Sequence, residues 1–109
     1  MAPGQTANAC SLVDLLPTMV EIGGGTADMF GMPVYGRSLM PLARGEDESV
    51  SEAIGEYFAE MIGHPVFMIR RGDMKYIHCD DDLAKLYDLA NDPWELENLA
   101  DHPAYRVIA

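Results

Sequence analysis

The densest group of side chains that could bind a metal ion lies at residues 78–82, where a histidine and a cysteine precede three consecutive aspartates. A calcium loop of the EF-hand type needs oxygen ligands at alternate positions, a central glycine and a late glutamate, whereas Ala84 and Lys85 occupy the middle here. Zinc needs further ligands at suitable spacing, and the remaining histidines, His64 and His102, are isolated. The pattern therefore predicts a charged turn between two strands and no metal site.

No serine or cysteine lies in a pattern that would make it a nucleophile. The sequence contains no G-x-S-x-G elbow, and Ser11 is better explained as a helix cap. The glycines at 23–25 follow a predicted helix, whereas phosphate-binding glycines open one. Trp94, directly after Pro93, could be a platform for a ligand, but packing over the edge of a sheet is the more usual role. The residue patterns thus predict no catalytic residue.

Composition and charge exclude several classes of partner. Eighteen acidic and seven basic side chains give the 109 residues a net charge of −11, which opposes binding to nucleic acid and to anionic lipid. No apolar run approaches the roughly 20 residues of a membrane span, so no membrane partner is predicted. Cys10 and Cys79 have no CxxC companion, which favours reduced thiols in a cytoplasmic protein over a disulfide framework or a zinc site.

The first half of the chain predicts a leader followed by one helix. Residues 1–10 are small and polar without a signal-peptide pattern, so we expect a disordered leader. Ser11 and Asp14 have the spacing of a capping box, and a helix that begins near Leu15 places Pro17 in its first turn. Apolar residues recur at helical spacing before three glycines end the helix: Leu12, Leu15, Leu16, Met19, Val20 and Ile22.

The second half alternates β-prone runs with turns. Residues 66–70 and 74–79 flank an Arg-Gly-Asp turn, which is the pattern of a β-hairpin. Residues 85–89 predict a third short strand, and the Asn-Asp-Pro turn at 91–93 ends it. Residues 94–99 are expected to form a helical turn.

Three segments taken together resemble the sulfatase family. SLVDLLPTMVEIGG, from Ser11, is similar to a helix near the end of the family's catalytic domain, and YGRSLMPLARG, from Tyr35, to its Gly-Arg-Ser-Leu element. MIRRGDMKYIH, from Met68, and LYDLANDPWELENLA, from Leu86, resemble the C-terminal hairpin and the motifs that close its small sheet. The resemblance implies an α+β fold, with an antiparallel sheet of about four strands and a flanking helix, as in the C-terminal subdomain of the sulfatase and alkaline-phosphatase-like fold.

The resemblance also bears on residues 50–62, where periodicity alone is ambiguous. Their apolar side chains recur at helical spacing and alternate poorly as a strand. In sulfatases this position is an edge strand before the hairpin. The family therefore implies a strand near residues 52–58.

Residues 54–78 look most like the choline-sulfatase branch, whose members cleave choline sulfate to choline and sulfate. The family implies Ca²⁺ and a formylglycine nucleophile in a full-length parent, but neither Cys10 nor Cys79 lies in the Cys-x-Pro/Ala-x-Arg motif. Residues 11–109 are therefore expected to be one C-terminal sulfatase-like subdomain, a fragment without catalytic residues, metal ligands or cofactor of its own. The alternatives are a stand-alone binding or oligomerisation module derived from a sulfatase, and a fragment of a related phosphate-ester hydrolase.

Glu56 is the candidate substrate-binding residue in this branch of the family. A quaternary ammonium is held by aromatic faces and a carboxylate, and strand alternation puts Glu56 and Tyr57 on opposite faces of the sheet. The alternative is an ordinary exposed strand glutamate. One face of so small a sheet would stay uncovered without the large domain, and this apolar surface predicts a homo-oligomer.

Overall fold

Helices occupy the first half of the described chain and a β-sheet the second half. The computed structural model describes residues 4, 6, 8–46, 52–58 and 63–105. They divide into two units, residues 1–51 and 52–109. The predicted α+β class, with a helix and a four-stranded antiparallel sheet, is confirmed. The assignment of 1–10 as a leader and 11–109 as one subdomain stays a prediction.

In the first unit, the predicted capping box starts the main helix. The Ser11 N–H donates to Asp14 Oδ2 at 2.8 Å, and regular α-helix begins at Leu15, as predicted. The helix ends before Gly24, whose φ of 79° breaks the helical path. Four helical elements are described in this unit: a 3₁₀ helix at Leu12–Asp14, α1 at Leu15–Ile22, a second 3₁₀ helix at Ala27–Phe30 and α2 at Met40–Arg44.

The second unit contains an antiparallel meander in which each strand pairs with the next along the chain. The strand that family resemblance implied near residues 52–58 is confirmed, so helical spacing was misleading there; the rest of residues 50–62 lies outside the described part. The predicted hairpin is also confirmed. The elements are β1 at Glu52–Tyr57, β2 at Val66–Arg71, β3 at Met74–Cys79, β4 at Lys85–Asp88 and a 3₁₀ helix at Pro103–Tyr105.

A side-chain-capped turn ends β4 before Pro93, as the sequence predicts. Asn91 Nδ2 donates to Asp88 Oδ2 at 2.8 Å, and the Ala90 N–H donates to Asp88 Oδ1 at 3.1 Å. These hydrogen bonds, chiefly that from the Asn91 side chain, favour the ionised carboxylate and lower the pKa of Asp88.

The predicted helical turn at residues 94–99 is wrong. Glu95 has a φ of 55° in the left-handed region, the only such non-glycine residue among those described. Lys75 Nζ holds this conformation by contacting both Glu95 carboxylate oxygens, at 2.8 and 2.9 Å. Asp92 accepts from the Glu95 N–H through its carbonyl oxygen and from the Glu97 N–H through Oδ2.

The expected packing of Trp94 over a sheet edge is wrong too, because its side chain is 81% exposed.

The outer edge of β4 is closed by the Asn-Leu pair that follows this turn. The Leu86 N–H donates to Asn98 Oδ1 at 3.0 Å, and the Leu86 carbonyl accepts from the Leu99 N–H at 2.8 Å. Asn98 Nδ2 also donates to the Ala84 carbonyl at 3.0 Å. Leu86 itself is the only large side chain that is completely buried in the described part of the chain. The motif thus satisfies backbone groups that an edge strand would otherwise leave open.

Candidate functional site

The predicted binding residue Glu56 lies on a sheet face that also carries two phenylalanines. The β1–β2 register places Phe67 directly opposite Glu56, and the alternation along β1 puts Tyr57 on the other face. Phe58, two residues after Glu56, meets Phe67 edge to face, with ring centroids 5.8 Å apart and an interplanar angle of 88°. We call Glu56, Phe58 and Phe67 the aromatic–carboxylate patch.

The patch is open to solvent, and no residue in the described part of the chain neutralises its charge. Phe58 is 66% exposed and Phe67 39%, and Glu56 is exposed as well. No described residue forms a hydrogen bond or an ion pair with the Glu56 carboxylate. Glu52, four residues earlier on the same face, is by contrast paired with the Arg71 guanidinium. A free carboxylate beside two open rings has the chemistry to hold an alkylated ammonium ion.

Sequence reasoning missed Phe58 and Phe67 as partners of Glu56. Their place depends on the register of β1 against β2, which residue spacing within one strand does not reveal. The only signal in the sequence for this pairing was that two successive β-prone segments each contain a phenylalanine.

The acidic turn at 80–82 is an ion-paired turn in the structure. Each aspartate faces one basic side chain: Asp80 faces His78 at 3.2 Å, Asp81 faces His64 at 2.5 Å, and Asp82 faces Lys85 at 2.7 Å. The hydrogen bond from Lys85 lowers the pKa of Asp82, and the same bond raises the pKa of Lys85. Within residues 4–105, as far as they are described, no group of three or more His, Cys, Asp or Glu side chains could hold a metal ion.

The described residues do not fit the formylglycine or the calcium ion that the family implies. Cys10 and Cys79 are both free thiols, and the residues that follow each of them depart from the formylglycine motif. The aspartates at 80–82 already have basic partners. We therefore assign no catalytic step to this chain.

Among the helices of the described part, none has the length and the apolar character that a membrane span requires.

The first unit contains a clamp that joins α1 to the Gly-Arg-Ser-Leu segment. Asp14 is only 6% exposed, and its Oδ1 accepts from the Arg37 N–H at 3.0 Å. The Thr18 hydroxyl donates to the Asp14 carbonyl at 2.6 Å and accepts from the Leu39 N–H at 2.9 Å. A buried carboxylate and a hydroxyl thus satisfy backbone amides more than twenty residues away.

Close backbone packing completes the clamp. A Cβ at Gly36 would overlap the carbonyl group of Val13 and lie 2.8 Å from the backbone nitrogen of Asp14. Only glycine lets the two segments approach this closely. We call these contacts the Asp14–Gly36 clamp, and they explain why Asp-x-x-Pro-Thr and Gly-Arg-Ser-Leu occur as a pair in one chain.

The clamp turns the apolar side of the main helix outward. Asp14, Pro17 and Thr18 lie on the buried side, whereas an amphipathic helix normally buries its apolar side. Five residues at helical spacing, each between 45% and 84% exposed, form what we call the apolar stripe: Leu12, Leu15, Leu16, Met19 and Ile22. A contiguous apolar surface of this kind marks an interaction site.

Comparison with known proteins agrees with the motifs and the fold. A family model described as N-sulphoglucosamine sulphohydrolase, C-terminal, matches residues 2–109. The choline-sulfatase of Rhizobium meliloti (strain 1021) is 36% identical over 103 residues, which cover 94% of this chain and 20% of that protein. The Delta 4,5-hexuronate-2-O-sulfatase of Bacteroides thetaiotaomicron is 36% identical over 105 residues, which cover 88% of this chain and 20% of that protein.

A solved structure of a 2-O GAG sulfatase superposes on 87% of this chain with a TM-score of 0.72 and 34% identity, using 21% of its own length. The chain thus spans about one fifth of the length of the sulfatases that it matches. The family model covers both units, and the four-stranded sheet has its counterpart in a solved sulfatase. The chain therefore belongs to the N-sulphoglucosamine sulphohydrolase C-terminal family, the C-terminal domain of sulfatases of the alkaline-phosphatase-like fold.

Proposed function

We propose that this chain is the C-terminal portion of a choline-sulfatase-like enzyme, which hydrolyses the small-molecule ester choline sulfate to choline and sulfate. The observation that carries the substrate is the aromatic–carboxylate patch, where Glu56 is exposed beside two phenylalanine rings and has no ionic partner among the described residues. The match to choline-sulfatase over 94% of this chain supports it. Ca²⁺ and formylglycine would belong to the rest of the parent. A cytoplasmic setting is part of the proposal, because both cysteines are free thiols.

The chemistry of the patch favours a cation over a sulfated sugar. A trimethylammonium group donates no conventional hydrogen bond, and it is attracted by ring faces and by a carboxylate. In an edge-to-face pair, one ring points its edge at the other ring. Neither face of that first ring is covered by its partner, so both faces can contact a cation. A sulfated sugar offers no positive charge to Glu56, so the carboxylate would repel it.

We expect Glu56→Gln in the full-length parent to raise KM for choline sulfate about 2- to 30-fold. This range corresponds to about 0.5–2 kcal/mol for one ionic or cation–π contact. KM for an aryl sulfate without a cationic group should stay nearly unchanged, because that substrate has no positive charge for Glu56 to balance. Steady-state kinetics on both substrates measure the effect.

Glu52→Gln is the matched control for this experiment. Glu52 lies on the same strand and face, but its carboxylate is already paired with Arg71. Its removal should leave the ratio of the two KM values at the parent's value. Equal losses on both substrates after Glu56→Gln, or none on either, would remove Glu56 from substrate binding.

The isolated 109-residue chain is expected to be catalytically silent. Its described residues contain neither a formylglycine motif nor a group of ligands that could hold a metal. Ion chromatography should detect no sulfate released from choline sulfate or from an aryl sulfate in the presence of Ca²⁺, whereas the full-length parent serves as positive control. Calcium-dependent sulfate release by the pure chain would contradict the proposal. An in-frame upstream segment with the Cys-x-Pro/Ala-x-Arg motif would support it.

A further inference from the structure

We infer, building on the proposed function, that His78 is a specificity-determining residue for the cationic end of the substrate. A quaternary ammonium ion binds the aromatic–carboxylate patch more tightly when His78 is neutral than when it is protonated. Choline sulfate therefore binds less tightly as the pH falls, relative to a sulfate ester that carries no cationic group.

Strand register places His78 on the same sheet face as the patch. Glu56 on β1 is opposite Phe67 on β2, and Phe67 is in turn opposite His78 on β3. The three side chains form one row across the sheet, because directly opposed residues of antiparallel strands share a face. Neighbouring strands are about 4.8 Å apart, so His78 lies about 10 Å from Glu56 with Phe67 between them.

Two contacts hold the His78 ring in place. Its Nε2 lies 3.2 Å from Asp80 Oδ1, and the ring stacks on that of Tyr76, with an interplanar angle of 12° and centroids 6.5 Å apart. Because an ionised carboxylate only accepts hydrogen bonds, Nε2 carries the proton of the neutral ring, and Nδ1 is the atom that a second proton occupies. The added charge therefore appears at a defined position beside the patch.

Protonation of His78 makes the charge beside the patch more positive by one unit. Histidine is the side chain that changes its charge between about pH 5 and pH 8. The pair of His78 and Asp80 has one negative charge while the imidazole is neutral and no net charge once it is protonated. A cation bound over Phe67 thus loses a favourable electrostatic interaction at low pH, although Asp80 stays in place.

Other titratable groups of the neighbouring elements, in the part of the chain that the structure describes, lie elsewhere or have their own partners. Lys85 on β4 and Cys79 on β3 belong to the other face of the sheet by strand alternation. His64 precedes β2 and pairs with Asp81 at 2.5 Å. His64 is thus the second imidazole that an experiment must separate from His78.

Steady-state kinetics of the full-length parent between about pH 5.5 and pH 8.5 test the inference. The measured quantity is KM for choline sulfate divided by KM for an aryl sulfate without a cationic group, since pH effects on the shared sulfate chemistry cancel in this ratio. We expect the ratio to rise about 2- to 15-fold from the upper to the lower end of the range, from Coulomb's law over about 10 Å at an effective dielectric constant of about 20–80. Low ionic strength limits screening of this interaction.

Three variants assign the effect to one side chain. His78→Gln is neutral at every pH, so its ratio should stay low across the range. His78→Lys keeps a positive charge, so its ratio should stay high. His64→Gln is the matched control, because His64 is also a half-exposed histidine with an aspartate partner but has no place in the row. It should reproduce the profile of the unmodified parent.

A His78→Gln profile that rises like that of the unmodified parent would overturn the inference, as would equal flattening by His64→Gln. In both cases a change of the ratio on Glu56→Gln would still support the proposed function. A ratio that Glu56→Gln leaves unchanged, together with a flat profile of the unmodified parent, would mean that no cation binds this face, and both proposals would fail.

Discussion

Gly36→Ala is expected to lower the free energy of unfolding by about 3 kcal/mol or more, because its Cβ would overlap backbone atoms. The atoms in the way are the Val13 carbonyl group and the Asp14 nitrogen, and backbone cannot yield as the end of a flexible side chain can. To admit the methyl group, the two segments must separate. This separation weakens the hydrogen bond from the Arg37 N–H to the buried Asp14 carboxylate. Urea unfolding followed by far-UV circular dichroism measures the loss.

Gly23→Ala is the control for this substitution. Gly23 has a φ of −75°, and the nearest atoms to an added Cβ are at 3.5 Å, which is ordinary contact. We expect a change within about 1 kcal/mol, since alanine restricts the unfolded chain without straining the folded one. Equal unfolding midpoints for the two variants would show that close packing at Gly36 does not hold the clamp together.

Leu86→Ala is expected to cost about 2–5 kcal/mol, the range for truncating a fully buried leucine. Leu86 is the only completely buried large side chain in the described residues, so its truncation removes apolar contacts that no other described side chain of this kind provides. Both backbone groups of Leu86 are bonded to residues 98–99, so the loss should also loosen the edge of β4. Hydrogen exchange of the β3 and β4 amides, together with urea unfolding, measures both effects.

Leu83→Ala is the control for this experiment, because it truncates the same type of side chain at an exposed position. Leu83 lies three residues earlier and is exposed, so its truncation should change the free energy of unfolding by less than about 0.5 kcal/mol. Similar losses for the two leucines would mean that the core of the second unit does not centre on Leu86.

Residue patterns were most accurate where the structure depends on neighbours a few positions apart. The capping box at Ser11 and the start of α1 at Leu15 need only residues within one helical turn. The β2–β3 hairpin depends on a turn of two residues, and strand alternation places Glu56 and Tyr57 on opposite faces. Family resemblance, and not periodicity, correctly decided that β1 is a strand.

Predictions failed where distant residues decide the outcome. The helical turn expected at 94–99 is absent because Lys75, twenty residues earlier, holds Glu95 in a left-handed conformation. Trp94 stays exposed beside it, contrary to the packing that its type suggested. The helix propensity of residues 94–99 cannot reveal an ion pair that joins a strand to a turn twenty residues later.

Residue patterns by themselves determined the position of the main helix and the β2–β3 hairpin, because caps and turns are local properties, whereas the resemblance to sulfatases supplied the α+β class and the first strand. Only the tertiary structure decided which side of that helix is buried. Periodicity identifies an apolar side, but the Asp14–Gly36 clamp directs the polar side inward through contacts with residues 36–39. Only the β1–β2 register, likewise, places Phe67 opposite Glu56. Both features depend on pairs of segments that meet in space, and such pairs are not encoded in the spacing of either segment alone.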